Sequence, residues 1–194
     1  MESDVSRPAR KRRRLKGYDY SQPGAYFVTL CVQHRRELLG EVRDGRMRAN
    51  DAGRMVERWW AELPAKFSHL ELDAGQVMPN HVHGIILLWP EGEGTRPCAE
   101  RQPRASLPEI VRWFKTMTTN GYIAGVREEG WPKFRGRLWQ RDYHEHVVRE
   151  GDDLADYRTY IRENPANWTM DEENPIALKI DPRWGGGIRP RSRL

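Results

Sequence analysis

The stretch that decides the fold is Leu70-Glu71-Leu72-Asp73-Ala74-Gly75-Gln76-Val77-Met78-Pro79-Asn80-His81-Val82-His83-Gly84-Ile85-Ile86-Leu87-Leu88-Trp89. Leu70 to Val77 reads as one strand and His81 to Trp89 as the next, with a tight turn at Pro79-Asn80. On a strand, residues two apart point to the same face. His81 and His83 therefore project side by side while Val82 points the other way. Two imidazoles placed like that can hold one metal ion, and burying them otherwise needs other polar partners.

Working outward, Ala25 to Val32 is rich in β-branched and aromatic residues and reads as a first strand, after a Ser21-Gln22-Pro23-Gly24 turn. Residues 38–49 read as a short hairpin around Asp44-Gly45. Asp51 is the expected cap of a helix running to about Lys66, with Met55, Val56, Trp59, Trp60 and Leu63 on its apolar face. Beyond a Pro-, Gly- and charge-rich loop at 90–106, a second helix starts at Ser106 or Leu107, with Pro108 in its first turn, and runs to about Ala124. Residues 125–137 read as a basic loop and Leu138 to Arg149 as a fourth strand. Asp152 caps a third helix that ends at Pro165. The order β-α-β-β-α-β plus a helix is the split βαβ pattern of an α+β, ferredoxin-like sheet. The expected parts are a basic N-terminal tail at 1–16, a catalytic domain at 17–170, and an irregular basic tail at 171–194.

The chain has 194 residues and a formal charge of +5. Residues 1–16 carry +5 and residues 183–194 carry +4, so the stretch between them nets −4. Basic ends of this kind hold polyanions such as nucleic acid, or remain solvated tails. No stretch is apolar enough to span a membrane, and no apolar signal region opens the chain. Two cysteines, Cys31 and Cys98, do not make a disulfide framework, and reduced thiols in a cytoplasmic protein are expected.

Near the end of the third helix, Tyr160 and Asn164 are four residues apart and share a face. A phenol beside a metal-bound phosphate can act as nucleophile, and a neighbouring amide oxygen can complete the metal site. The alternative is ordinary packing of a helical tyrosine. A competing pair, His144 and His146, also shares a strand face. Ahead of it, Trp131, Lys133, Arg135, Arg137, Trp139, Arg141 and Tyr143 recur at period two and would form one cationic, aromatic edge if extended. Stacking on aromatics with arginine contacts to phosphate is how single strands are held. A solvated, charge-protected strand edge is the bland alternative.

Four segments together resemble the REP-associated tyrosine transposases, relatives of the single-tyrosine HUH transposases of insertion sequences. They are Gly17-Tyr18-Asp19-Tyr20 through Gly24-Ala25-Tyr26-Phe27-Val28-Thr29, Met78-Pro79-Asn80-His81-Val82-His83, Leu138-Trp139-Gln140-Arg141-Asp142-Tyr143-His144-Glu145-His146, and Tyr160-Ile161-Arg162-Glu163-Asn164-Pro165. They span roughly residues 17–168 in the family's order. The resemblance implies that His81 and His83 bind a divalent metal, Mg²⁺ or Mn²⁺. It also implies Tyr160 as nucleophile and Asn164 at the place of a third, polar ligand. It assigns no chemical role to Glu145 or His146.

The activity implied is metal-dependent cleavage and strand transfer of single-stranded DNA at REP-type hairpins through a 5′-phosphotyrosine link, in the bacterial cytoplasm at the nucleoid. Arg12, Arg13, Arg14, Lys133, Arg135, Arg137, Trp139 and Arg141 are the expected DNA contacts. A monomer is favoured, with a homodimer the alternative. The rival readings are a hairpin-binding protein derived from a transposase but without catalysis, a relaxase-like nicking enzyme, and a metal hydrolase that uses water. The absence of a Gly-rich phosphate loop agrees with chemistry that needs no ATP.

Overall fold

The computed structural model describes residues 17–90, 104–149 and 154–177. Arg12, Arg13 and Arg14, the loop residues 91–103 with Cys98, the cap Asp152 and the tail from residue 178 lie outside these. The elements are β1 (Gly24–Cys31), a hairpin of β2 (Gly40–Arg43) and β3 (Arg46–Ala49), α1 (Asp51–Ala61), α2 (Leu63–Lys66), β4 (Leu70–Met78), β5 (His81–Leu88), α3 (Leu107–Glu128), β6 (His144–Val148) and α4 (Leu154–Glu163). The main sheet runs β4-β5-β1-β6, and every neighbouring pair is antiparallel. This is the ferredoxin-like order expected from the sequence, with the β2–β3 hairpin inserted before α1.

The alternation of side chains gives the sheet two different faces. Tyr26, Val28, Leu30, Val82 and Ile86 face the main core with the buried side chains of α1 and α3. Phe27 and Ile85 face the other way and pack with Tyr157 and Ile161 of α4. The two histidines of β5 share that second face, so α4 lies over them.

Two glycines set how closely α1 approaches. Gly75 of β4 and Gly84 of β5 are register partners, and the Trp60 indole lies over both. A Cβ on Gly75 would sit 2.9 Å from Trp60 Nε1, and a Cβ on Gly84 would strike the same ring. The glycines thus form a slot for the one large side chain that seats α1 on the sheet.

The structure differs from the sequence expectations in four places. The cap of α1 is Asn50, whose side chain accepts from Gly53 N at 2.9 Å, and Asp51 is the first helical residue. The expected single helix to Lys66 divides at Glu62, two residues before Pro64. Helix α3 continues to Glu128, because Gly125 does not break it but leaves room for the Trp131 ring. The fourth strand is only His144–Val148. Leu138 and Trp139 lie before the strand and are both buried in the core. Trp139 instead meets Val32 in a single bridge and donates its indole N–H to Thr118 Oγ1 at 2.8 Å.

Replacing Gly84 with Ala pushes a methyl group into Trp60. Overpacking of this kind typically destabilises by about 1–3 kcal/mol. A urea unfolding curve measures it, and a change below about 0.5 kcal/mol, within the ordinary range for surface substitutions, would refute the slot.

Candidate active site

His81 and His83 are fully buried, at 0 % and 1 % exposure, with ring centroids 4.3 Å apart. Each imidazole is held through Nδ1. For His83 the partner is Thr29 Oγ1, its register partner on β1, at 2.9 Å. For His81 the partner is Asn80 Oδ1 at 2.8 Å. Asn80 donates both protons of its amide, to Arg35 O at 3.0 Å and to Glu173 O at 2.8 Å. Its oxygen is therefore left to accept, so His81 Nδ1 carries the proton. The lone pair of the His81 ring is then on Nε2.

Helix α4 brings Tyr160 to the same place. Its hydroxyl is 3.5 Å from His83 Nε2, and its ring centroid is 5.2 Å from that of His83. Phe27 packs against both rings. Asn164 lies just beyond the last helical residue, in the turn that follows, and is 2 % exposed. Its Nδ2 donates to Asp171 Oδ2 at 2.6 Å, and its Oδ1 is buried with no hydrogen-bond partner among the described residues.

Asp171 is the residue that sequence reasoning missed. One ligand atom from each of His81, His83 and Asp171 lies within 4.8 Å of the others, and all three residues are buried. The chain returns to the sheet here because Trp168 packs against His81, with centroids 5.9 Å apart. Asp171 Oδ1 accepts from Glu173 N at 2.6 Å, and Arg35 pairs with the Glu173 carboxylate at 3.0 Å. The buried body thus continues past residue 170 to Asn174. The only sequence signal was a tryptophan followed closely by acids, which by itself marks no site.

Other expected residues are placed as follows. His144 and His146 are the register partners of Thr29 and Phe27, so they share the sheet face of the first pair, one strand beyond β1. His146 stacks on Tyr157. Lys133, Arg135, Arg137 and Arg141 are exposed. Trp139 is 3 % exposed, so its ring is a core anchor and not a stacking surface for a base. With Leu138 and Trp139 turned inward, the expected continuous edge over 131–143 does not form.

Comparison with known proteins places the chain among relatives of similar length. No protein-family model matches the chain. An uncharacterised protein of Haemophilus influenzae is 31% identical over 175 residues, covering 84% of this chain and 92% of that protein. A second Haemophilus influenzae protein, named as a candidate REP-associated tyrosine transposase, is 24% identical over 184 residues, covering 87% of this chain and 91% of that protein. The chain is thus similar in sequence to a REP-associated tyrosine transposase. A solved REP-associated tyrosine transposase bound to a REP hairpin shares the fold, with a TM-score of 0.55 at 20% identity, over 80% of this chain and 73% of that one. The helix bearing Tyr160 is seated on the histidine face of the sheet through Tyr157 and Ile161. No helix among the described residues is long and apolar enough to cross a membrane.

An ion pair fixes that seating. Arg158 of α4 grips Asp73 of β4 with two parallel contacts, Nε to Oδ1 at 2.9 Å and Nη2 to Oδ2 at 2.5 Å. The Arg158 guanidinium holds the Asp73 carboxyl below the usual carboxylate range. A carboxyl depressed in the folded state stabilises fully above its unfolded value, and that contribution is lost as pH falls through the folded one. Arg158→Ala is therefore expected to lower the melting temperature at neutral pH, with a deficit that narrows below about pH 4. Melting curves across pH check this. A deficit that stays constant down to pH 2 would rule out the ion pair as its cause.

Proposed function

We propose that the protein is a metal-dependent single-stranded DNA endonuclease and strand transferase that cuts beside a DNA hairpin through a covalent tyrosine link. The observation that carries this reading is the convergence of Tyr160 with His81 and His83 on one buried sheet face. The hairpin as substrate is supported by the solved structure of similar fold, which is bound to a REP hairpin.

The donor set fits a divalent cation. Both imidazoles are held through Nδ1, Asp171 adds a carboxylate, and Asn164 adds a buried amide oxygen that makes no hydrogen bond among the described residues. His81, His83 and Asp171 would hold Mg²⁺ or Mn²⁺, with Asn164 as a further oxygen donor. Such an ion neutralises charge developing on the scissile phosphate.

The remaining work belongs to the chain. The Tyr160 phenolic oxygen bonds to phosphorus and the P–O3′ bond breaks. The strand is left with a 5′-phosphotyrosine on one side and a 3′-hydroxyl on the other. The proton lost by the phenol balances the one taken up by the 3′-oxygen. One phosphodiester replaces another, so the bond can be remade by attack of a hydroxyl without an external energy source. Phe27 and Tyr157 pack at the root of α4 and hold the phenol at the histidines.

The deciding experiment incubates the protein with labelled single-stranded hairpin DNA and Mn²⁺ or Mg²⁺, on a denaturing gel beside Tyr160→Phe. A metal-dependent DNA-shifted protein band that disappears in the variant, with binding retained, is the expected result. Cleavage without any adduct would favour a hydrolase that uses water. Binding with neither product would favour a hairpin-binding protein.

A second test addresses the cation directly. Asn80→Ala frees the His81 ring to turn, and loss of such a supporting contact typically weakens metal binding about 10–100-fold. Titrating Mn²⁺ by electron paramagnetic resonance without DNA measures this, with circular dichroism to confirm the fold. An unchanged affinity would remove Asn80 from the site.

A further inference from the structure

His146 has no part in the chemistry described so far. It lies on β6, an edge strand of the main sheet, and is the register partner of Phe27 on β1. Phe27 is in turn the register partner of Ile85 on β5. The three stand in one row on the sheet face that carries His81 and His83. His146 is not one of the three residues whose ligand atoms converge on the candidate metal site. It is two strands away from β5, a separation of about 10 Å, so it reaches the site through what lies between.

What lies between is a continuous set of rings. The His146 imidazole is stacked on Tyr157, with centroids 5.5 Å apart and planes 22° from parallel. Tyr157 is 4 % exposed and meets Phe27 at 5.2 Å. Phe27 lies 5.9 Å from the Tyr160 ring and is stacked on His83 at 5.6 Å. Each spacing is one at which rings orient one another. The set therefore runs from the edge of the sheet to the phenol and to a candidate ligand.

The first ring matters because α4 is held from two sides. Consecutive residues of a helix point about 100° apart. Arg158 reaches to β4 at one edge of the sheet, where Asp73 holds it. Its neighbour Tyr157 reaches to β6 at the opposite edge, where it meets His146. Rolling the helix toward either edge disturbs the contact at the other. With one anchor gone the helix can roll, and Tyr160, three residues beyond Tyr157, swings with it. A flat ring on a flat ring fixes a plane, which an aliphatic side chain of similar size does not.

We infer that His146 is a positioning residue. Its ring, stacked on Tyr157, sets the roll of α4 and so the place of the Tyr160 hydroxyl beside His83. The inference rests on the reading of Tyr160 as nucleophile and adds to it a residue at the far edge of the sheet that touches neither DNA nor metal.

Two variants of the full chain test it. His146→Leu keeps side-chain bulk without a ring, and His146→Phe keeps a flat ring without nitrogens. Adduct formation is timed in a single turnover with hairpin DNA and Mn²⁺ saturating. His146→Leu is expected to form the adduct at least about tenfold more slowly, since a misplacement of about 1 Å can cost about 100-fold. Its DNA and Mn²⁺ affinities stay within about twofold of wild type, because the loss falls on the reacting geometry and not on binding. His146→Phe recovers to within about threefold of wild type, because the stack is kept. A wild-type rate in His146→Leu overturns the inference, and so does a loss of affinity that accounts for the slower rate. A His146→Phe protein as slow as His146→Leu also overturns it, by assigning the effect to the imidazole nitrogens.

Fluorine NMR of fluorotyrosine-labelled protein reads the same placement without any cutting. The Tyr160 line is identified by its loss in Tyr160→Phe. It is expected to shift in His146→Leu and to return toward the wild-type position in His146→Phe. A line unmoved in His146→Leu overturns the inference whether or not an adduct forms. Failure of the tyrosine reading is separate. It appears as a wild-type protein that makes no adduct, whatever the fluorine line does.

Discussion

The side-chain amide of Asn80 is the junction on which the site depends. It is fully buried, and its hydrogen-bonding groups are all committed. Its oxygen fixes His81, and its two protons bind backbone carbonyls of the turn after β1 and of the segment after α4. Three parts of the chain that are remote in sequence thus meet on one residue. No charged side chain can substitute, because the junction needs two donors and one acceptor on a planar group. A carboxylate lacks the donors, and a lysine lacks the acceptor.

Around that junction the sheet serves two purposes with two faces. One face closes the core through Trp60, Phe114 and Tyr122. The other carries imidazoles, a threonine hydroxyl and the aromatic root of α4. Burying polar groups there is tolerated because each finds a defined neighbour: Thr29 for His83, Asn80 for His81, Asn164 for Asp171. The Arg158–Asp73 pair then sets the position of α4 from the exposed side, where it does not compete with the polar contacts beneath.

Much of this was legible in the sequence, for physical reasons. The strand period of two placed His81 and His83 on one face, and the strand–helix order gave the sheet. Helical spacing brought Tyr160 and Asn164 to the same end of α4. Asp171 was not legible, because nothing local says that the chain after Pro165 turns back; that depends on Trp168 finding His81. Asn50 and Asp51 are both good caps, and only backbone geometry separates them. The 133–141 stripe misled because alternation in sequence presumes an extended chain. There the burial of Leu138 and Trp139 together overrode the pattern. Gly125 misled in the opposite sense, since a small residue inside a helix can be a seat for an aromatic ring as well as an end.

The way the chain closes on itself has a consequence for its synthesis. The histidines leave the ribosome early, α4 arrives only after the last sheet strand, and the segment with Asp171 and Glu173 comes later still. Folding that proceeds from the N-terminus therefore produces the sheet first and the assembled polar cluster last. A nascent chain halted after β6 would have its imidazoles on the strand but would lack the phenol, the Asp171 carboxylate and the carbonyl of Glu173 that helps to orient Asn80. The cluster is assembled only once nearly all of the described chain has been made, so growing fragments do not carry it.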